Sequence, residues 1–239
     1  MKVDIDGNVF LKATKLPENI TSISTTRACN VFDITDSSDK QKKIYLNRGF
    51  FKEHFNIDYI VLPKQIHSNK VLYIDDFTSS SSELECDGFV TDKKNVALGI
   101  LTADCYAVQF FGRNLIANIH CGWRGIYEGI IENTIKIFKK LNDEIILASI
   151  GIGICENCYI VGVEMIEKFS NKFGNIPYFK DNYGQHHLSL RKLIKNILDK
   201  NGIDNINELN YCSSCNDFLY SYRRDNNISK RLLSLIVME

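Results

Sequence analysis

The chain has 239 residues, 44% of them hydrophobic, enough to bury a sizeable core without disulfide or metal staples. Its 29 basic and 29 acidic residues cancel. That excludes the basic excess on which nucleic-acid and anionic-membrane binding relies. Charged residues at 24% and aromatics at 11% exclude wholesale disorder.

Met1 to Phe10 hold a lysine and two aspartates and no apolar core, so they do not read as a secretory signal. No window approaches the roughly 18 apolar residues of a membrane span. A cytoplasmic protein is expected, and its eight cysteines then read as thiols or metal ligands rather than disulfides.

Asn8–Ala13 and Ile20–Thr26 have the β-branched density of strands. The charged run Lys40–Phe55 predicts a helix. Tyr59–Leu62 and Lys70–Ile74 predict short strands. The serine run Thr78–Ser82, leading into Glu83, Glu85 and Asp87, predicts a solvated loop. Val96–Leu101, Ala107–Phe111 and Leu115–His120 predict buried strands. Tyr127, Ile130, Ile131, Thr134, Phe138 and Leu141 recur at helical spacing, so Gly125–Leu141 predicts one amphipathic helix. Ile145–Ile150 predicts another buried strand, Val161–Phe173 and Leu188–Lys200 helices, and Leu232–Met238 a closing strand. The sum is a single α/β domain over residues 1–239, with a mixed sheet covered by helices.

Only five histidines occur. His54 falls on a charged segment and His186-His187 on a polar loop, so these three are expected to face solvent. His67 lies between two predicted strands and His120 ends a third. Between them, Thr102-Ala103-Asp104-Cys105 leaves a buried strand. Strand ends in an α/β sheet converge on one edge, where such folds place sites. His67, Cys105 and His120 would make a three-ligand zinc site with a fourth position open, the catalytic pattern. The spacing alone leaves open an inert thiol and two core histidines.

Gly122-Trp123-Arg124-Gly125 opens a helix, and Arg124 there would add charge for an anion. Of the adjacent Arg223 and Arg224, one is expected to face a pocket and bind phosphate or carboxylate; Arg48 is a similar candidate. The pairs Cys155/Cys158 and Cys212/Cys215 have the CxxC spacing of a zinc ribbon. They stand far apart in sequence and lack the usual knuckle turns. They are expected to be ordinary thiols, with Cys155→Ser plus Cys212→Ser leaving metal content and fold unchanged.

Taken in order, Gln65-Ile66-His67, Cys86-Asp87-Gly88-Phe89-Val90-Thr91, Leu98 to Cys105, Ile119 to Gly125, Gly151 to Ile154, Cys158 to Gly162 and Ser221 to Asp225 form one pattern. It resembles the purine nucleoside phosphorylase family, formerly called the multicopper polyphenol oxidase or laccase-domain (YfiH-like) family. The resemblance runs from Ser24-Thr25-Thr26-Arg27 to Leu235-Ile236. It implies a layered α/β/α domain and makes His67, Cys105 and His120 the zinc ligands. It also implies phosphorolysis of adenosine, inosine, guanosine and 5′-methylthioadenosine, together with adenosine deamination. The chain departs from the family at Val31-Phe32-Asp33-Ile34, at Cys155-Glu156-Asn157-Cys158 and at Asn226-Asn227.

Laccase chemistry needs several coppers held mostly by imidazoles, on the order of ten histidines. Five cannot supply them. In deamination, zinc would acidify its water and Asp104 would move the proton. In phosphorolysis, Arg48 and Arg224 would orient phosphate. The partners expected are purine nucleosides and phosphate, with no nucleic acid and no membrane; a homodimer stays open. Two rivals remain. Cys105 with His120 as base would make a hydrolase of amide bonds in peptidoglycan precursors. A closed site of cysteines would make a non-enzymatic zinc-binding module.

Overall fold

The computed structural model describes residues 1–36, 42–75, 84–226 and 229–239. The predicted serine loop Thr78–Ser82 therefore lies outside the described residues, as does Asn227. The elements run β1 (Lys2–Ile5), β2 (Asn8–Lys12), β3 (Ile20–Thr25), β4 (Phe32–Asp36), β5 (Lys42–Leu46), α1 (Arg48–Phe55), β6 (Tyr59–Val61), β7 (Leu72–Tyr73) and β8 (Gly88–Thr91). They continue with β9 (Val96–Thr102), β10 (Tyr106–Gly112), β11 (Ile116–Cys121), α2 (Trp123–Glu128), α3 (Ile130–Lys140), β12 (Ile145–Ile150), β13 (Ile160–Val161) and α4 (Val163–Phe173). The last are β14 (Tyr178–Lys180), β15 (His186–Leu188), α5 (Leu190–Lys200), β16 (Ile206–Glu208) and β17 (Leu232–Met238).

The mixed α/β class holds, with the strands divided between two large sheets. One has the order β1-β2-β3-β17-β9-β6, the other β16-β12-β10-β11-β8-β7. Both are mixed: β6 runs parallel to β9, and β12 to β16, among antiparallel neighbours. Side chains alternate across each strand, so each sheet has two buried faces. Phe89, Leu98, Phe111, Ile116 and Ile236 fill the layer between the sheets. Val90, Phe110, Ala117 and Ile119 turn the other way and pack with Ile131, Phe138, Phe169 and Ile194 of α3, α4 and α5. On the opposite side, Ala97, Leu233 and Leu235 pack with Phe51 and Phe55 of α1. The near-continuous apolar runs seen in the sequence follow from this double burial.

Polar side chains fix how the sheets meet. Gln109 of β10 donates to Ser234 Oγ and the Leu235 carbonyl of β17, both at 3.2 Å. Asn118 of β11 donates to the Leu98 and Ser234 carbonyls at 2.9 and 3.0 Å.

Two predicted helices come out differently. Of the predicted helix Lys40–Phe55, Lys40 and Gln41 lie outside the described residues, and the rest is a strand followed by a short helix. Residues 42–46 pair with β4, and Ile34 opposes Ile44. Asn47 then caps α1, its side chain accepting the Phe50 N–H, and Asn56 ends it in the left-handed region at φ 52°. Gly125–Leu141 is interrupted at Gly129, whose φ of 95° turns the chain. Its N–H closes α2 on the Gly125 and Ile126 carbonyls, and α3 starts at the next residue. None of the described helices is long and apolar enough to cross a membrane.

Candidate metal centre and its cavity

The connection from β9 to β10 passes from one sheet to the other, and Cys105 stands at its end. His120 sits near the end of β11, opposite Ala107 of β10. His67 comes from the loop between β6 and β7. The ligand atoms of these three residues lie within 4.8 Å of one another. The two imidazole rings meet edge to face, with centroids 4.9 Å apart.

Local structure holds each ligand in place. Gln65 clips the His67 loop to β9: its amide donates to the Leu101 carbonyl at 3.0 Å and accepts the Leu101 N–H at 2.8 Å. His67 takes a φ of 58° and Asp104 a φ of 89°. Both are unusual for residues with a Cβ, and such backbone recurs at functional sites. Gly122 is needed here for a different reason. A Cβ on it would stand 3.1 Å from Cys105 Sγ and 3.6 Å from the His67 ring.

Asp87, fully buried, is the organising carboxylate. Its Oδ1 lies 2.9 Å from His120 Nδ1 and accepts the His67 N–H at 3.0 Å. Its Oδ2 accepts the Ser68 N–H and hydroxyl at 2.6 and 2.9 Å. Burial works against the charge on Asp87, but His120 and Ser68 outweigh it and hold the carboxyl below its ordinary range. Burial also pushes the Cys105 thiol up; His120 and His67 overcome that and bring it down to about 6. For His120, Cys105 and Asp87 overcome desolvation and lift the ring to about 9.

This donor set suits a metal ion. It offers two imidazoles and a thiol that ionises readily, and three ligands leave a further position free. The Asp87 contact engages His120 Nδ1 and so turns the other ring nitrogen to the site, the usual second partner of a ligating histidine.

The three ligands line a cavity of about 800 Å³, within the range of small-molecule sites. Trp123, Tyr159 and Tyr222 add aromatic surface, and Arg124, Arg223 and Arg231 add positive charge. Asp104 lines it too. One Asp104 oxygen accepts the Ser213 hydroxyl and the other the Arg223 N–H, each at 2.7 Å.

The structure thus brings His67, Asp104, Cys105, His120, Arg124 and Arg223 to one cavity. Arg48 and Arg224 are not among its lining residues. Arg48 is the exposed first residue of α1. Arg224 turns its guanidinium inward on the loop: Nη1 donates to the Ser213, Ser214 and Asn216 carbonyls, Nη2 to Leu219, and Nε to Asp225. All its N–H groups are engaged by this loop. The expectation of solvent-facing histidines fails at His187. That ring is buried, stacks on Phe179 at 4.5 Å, and contacts the Glu156 carbonyl and Asp181.

Asp87 was missed as a site residue. Its signal was a carboxylate inside an apolar run, Cys86-Asp87-Gly88-Phe89-Val90, where burial demands partners. Tyr159 was missed because nothing near it in sequence shows a cavity.

The fold and the site define a two-sheet α/β protein with a histidine–cysteine metal-capable centre inside a small-molecule cavity. Residues 22–239 match the family described as multi-copper polyphenol oxidoreductase laccase, and the chain belongs to that family. The resemblance carried by the motifs is borne out. A purine nucleoside phosphorylase of Aquifex aeolicus is 32% identical over 188 residues, 79% of this chain and 87% of its own. Adenosine deaminase RL5, from an unknown prokaryotic organism, is 30% identical over 176 residues, 67% of each chain. The crystal structure of YlmD from Geobacillus stearothermophilus has the same fold, with a TM-score of 0.83 at 20% identity, over 99% of this chain and 98% of that one.

Proposed function

We propose that the protein is a zinc-dependent purine nucleoside phosphorylase that also deaminates adenosine. Inosine, guanosine, adenosine and 5′-methylthioadenosine are its substrates, and the cytoplasm is its compartment. The observation that carries this reading is the convergence of His67, Cys105 and His120 in a cavity that also presents aromatic rings and arginines. The names of the relatives support it.

His67, Cys105 and His120 would hold the zinc ion, which when bound supplies Lewis acidity at this corner of the cavity. Asp87 keeps His120 in one orientation. Trp123, Tyr159 and Tyr222 offer faces on which a purine stacks. Arg124 and Arg223 orient phosphate for attack on the anomeric carbon as the glycosidic C–N bond breaks. The phosphate role expected for Arg224 passes to them, because the Arg224 donors are spent on carbonyls and Asp225. Asp104, fixed by Ser213 and the Arg223 backbone, takes the proton in the deaminase branch.

The test is product analysis. Inosine with phosphate should give hypoxanthine and ribose 1-phosphate, and base release should nearly stop without phosphate. Adenosine should give inosine with or without phosphate. Arg223→Ala should cut kcat/KM for phosphorolysis about 10–100-fold, as expected for loss of a charge-assisted contact, and should spare deamination. No turnover of any purine nucleoside by metal-loaded protein would sink the reading.

A second reading rests on the Cys105–His120 pair, the pattern of a thiol nucleophile with its base. Amide hydrolysis that survives chelation and disappears in Cys105→Ala would favour it.

A further inference from the structure

The two CxxC pairs, 57 residues apart from Cys155 to Cys212, meet in space. All four sulfurs lie within 4.8 Å of one another. Cys158 Sγ is 3.4 Å and Cys155 Sγ 3.7 Å from Cys215 Sγ. A tetrahedral four-thiolate zinc, with bonds of about 2.3 Å, sets its sulfurs about 3.8 Å apart. The distances match a cage that closes on an ion with small movements.

The backbone is arranged for the same purpose. Cys212 Sγ accepts the Cys155 N–H at 3.2 Å and the Cys215 N–H at 3.4 Å. Such N–H···S contacts favour the thiolate over the thiol. The first pair rides on a tight turn, the Cys158 N–H bonding the Cys155 carbonyl at 3.1 Å; after the second, the Asn216 side chain donates to the Cys212 carbonyl at 2.7 Å. A parallel bridge between Gly153 and Cys212 aligns the two turns, and the Ser213 N–H bonds the Gly153 carbonyl at 3.0 Å. This explains why sequence distance misled. The usual knuckle residues are absent, but the isolated bridge beyond β12 and β16 supplies the alignment.

We infer that Cys155, Cys158, Cys212 and Cys215 form a second, structural zinc site, separate from the His67–Cys105–His120 centre. Four thiolates leave no position open, the pattern of a structural rather than a catalytic ion. The site ties the segment that carries the cavity-lining Ile154 and Tyr159 to the Cys212–Cys215 turn. Cys158 is followed by Tyr159, and Cys212 by Ser213, whose hydroxyl holds Asp104.

The test uses the full chain purified under reducing conditions without chelator. Elemental analysis should find about two zinc ions per chain, one for each ligand set. Cys155→Ser with Cys212→Ser should lose one of them, and His67→Ala with His120→Ala the other. In the histidine variant, the zinc X-ray absorption spectrum should show sulfur neighbours alone, at about 2.3 Å. This second variant keeps the four cysteines and decides the matter even if the cysteine variant fails to fold. A histidine variant without zinc would overturn the site. So would a folded cysteine variant with undiminished zinc, or a Cys158–Cys215 disulfide found by mass under these conditions. The histidine centre is read separately, so failure of one assignment leaves the other standing.

Discussion

At the scale of single residues, the contrast between Asp87 and Arg224 shows what sequence can and cannot reveal. Asp87 receives the His120 ring and the donors of Ile66, His67 and Ser68, and so orients both the ring and the His67 loop. Asp87→Asn removes the charge and keeps the shape. Metal affinity should fall about 10–100-fold, the usual cost of losing such a partner. Competition with a chromophoric chelator reads this directly, and unchanged affinity would leave Asp87 a loop anchor only. His67, Cys105 and His120 could be picked out because their residue types are rare and each stands at a strand end. Asp87 carries a weaker signal: its place in an apolar run announces a buried carboxylate, but not which ring it serves, since that partner lies 33 residues away. Arg224 sits in a motif with Arg223, yet adjacent residues on a turning loop point in different directions. Sequence expects one of the two to face a pocket, and only the coordinates show that Arg223 lines it while Arg224 holds the loop.

Secondary-structure elements were readable where local pattern and tertiary demand agreed. The buried strands β9, β10, β11, β12 and β17 are close to what their apolar runs predict. The failure at residues 42–55 has a long-range cause. Lys42–Leu46 pairs with Phe32–Asp36, and no local signal reports a partner strand. The break at Gly129 was hidden for the opposite reason: the apolar spacing of Ile126, Ile130 and Ile131 runs straight through it. Here only φ matters. At φ 95°, any residue with a Cβ is strained. Gly129→Ala should cost about 1–2 kcal/mol, the penalty for an L-residue in the left-handed region. Its Cβ would otherwise meet only Glu132 Oε2, at 3.4 Å, so packing adds little. Urea unfolding measures the loss, and metal content should be unaffected. An alanine variant as stable as the parent would mean that the break moves easily and that the two helices need no fixed turn.

At the scale of the whole molecule, the two ends of the chain share one sheet: β17 lies between β3 and β9. No periodicity in the sequence announces that the last strand is central. The contact that secures this arrangement from outside is Asp225, on the loop leading to β17. It pairs with Arg27, just beyond β3, and with Arg224, and it also accepts the Ser221 N–H at 3.0 Å. The Arg224 hydrogen bond is the largest influence on Asp225; despite some desolvation, its carboxyl is held far below the usual range. The sign follows from that direction. A depressed folded pKa gives stability that is complete above the ordinary carboxylate value, near 3.9. That stability drains away as pH falls through this value toward the folded one, because the unfolded chain takes up the proton first. Asp225→Asn should therefore lower stability at pH 7 by about 1–3 kcal/mol, the cost of leaving a partly buried charged donor unpaired. The gap between parent and variant should then narrow steadily below about pH 4. Metal release in acid affects both proteins alike and cancels in the difference. Urea unfolding at a series of pH values gives the two curves. Parallel curves down to pH 3 would show that the staple contributes nothing through its charge, and that the ladder of β17 alone holds the chain ends together.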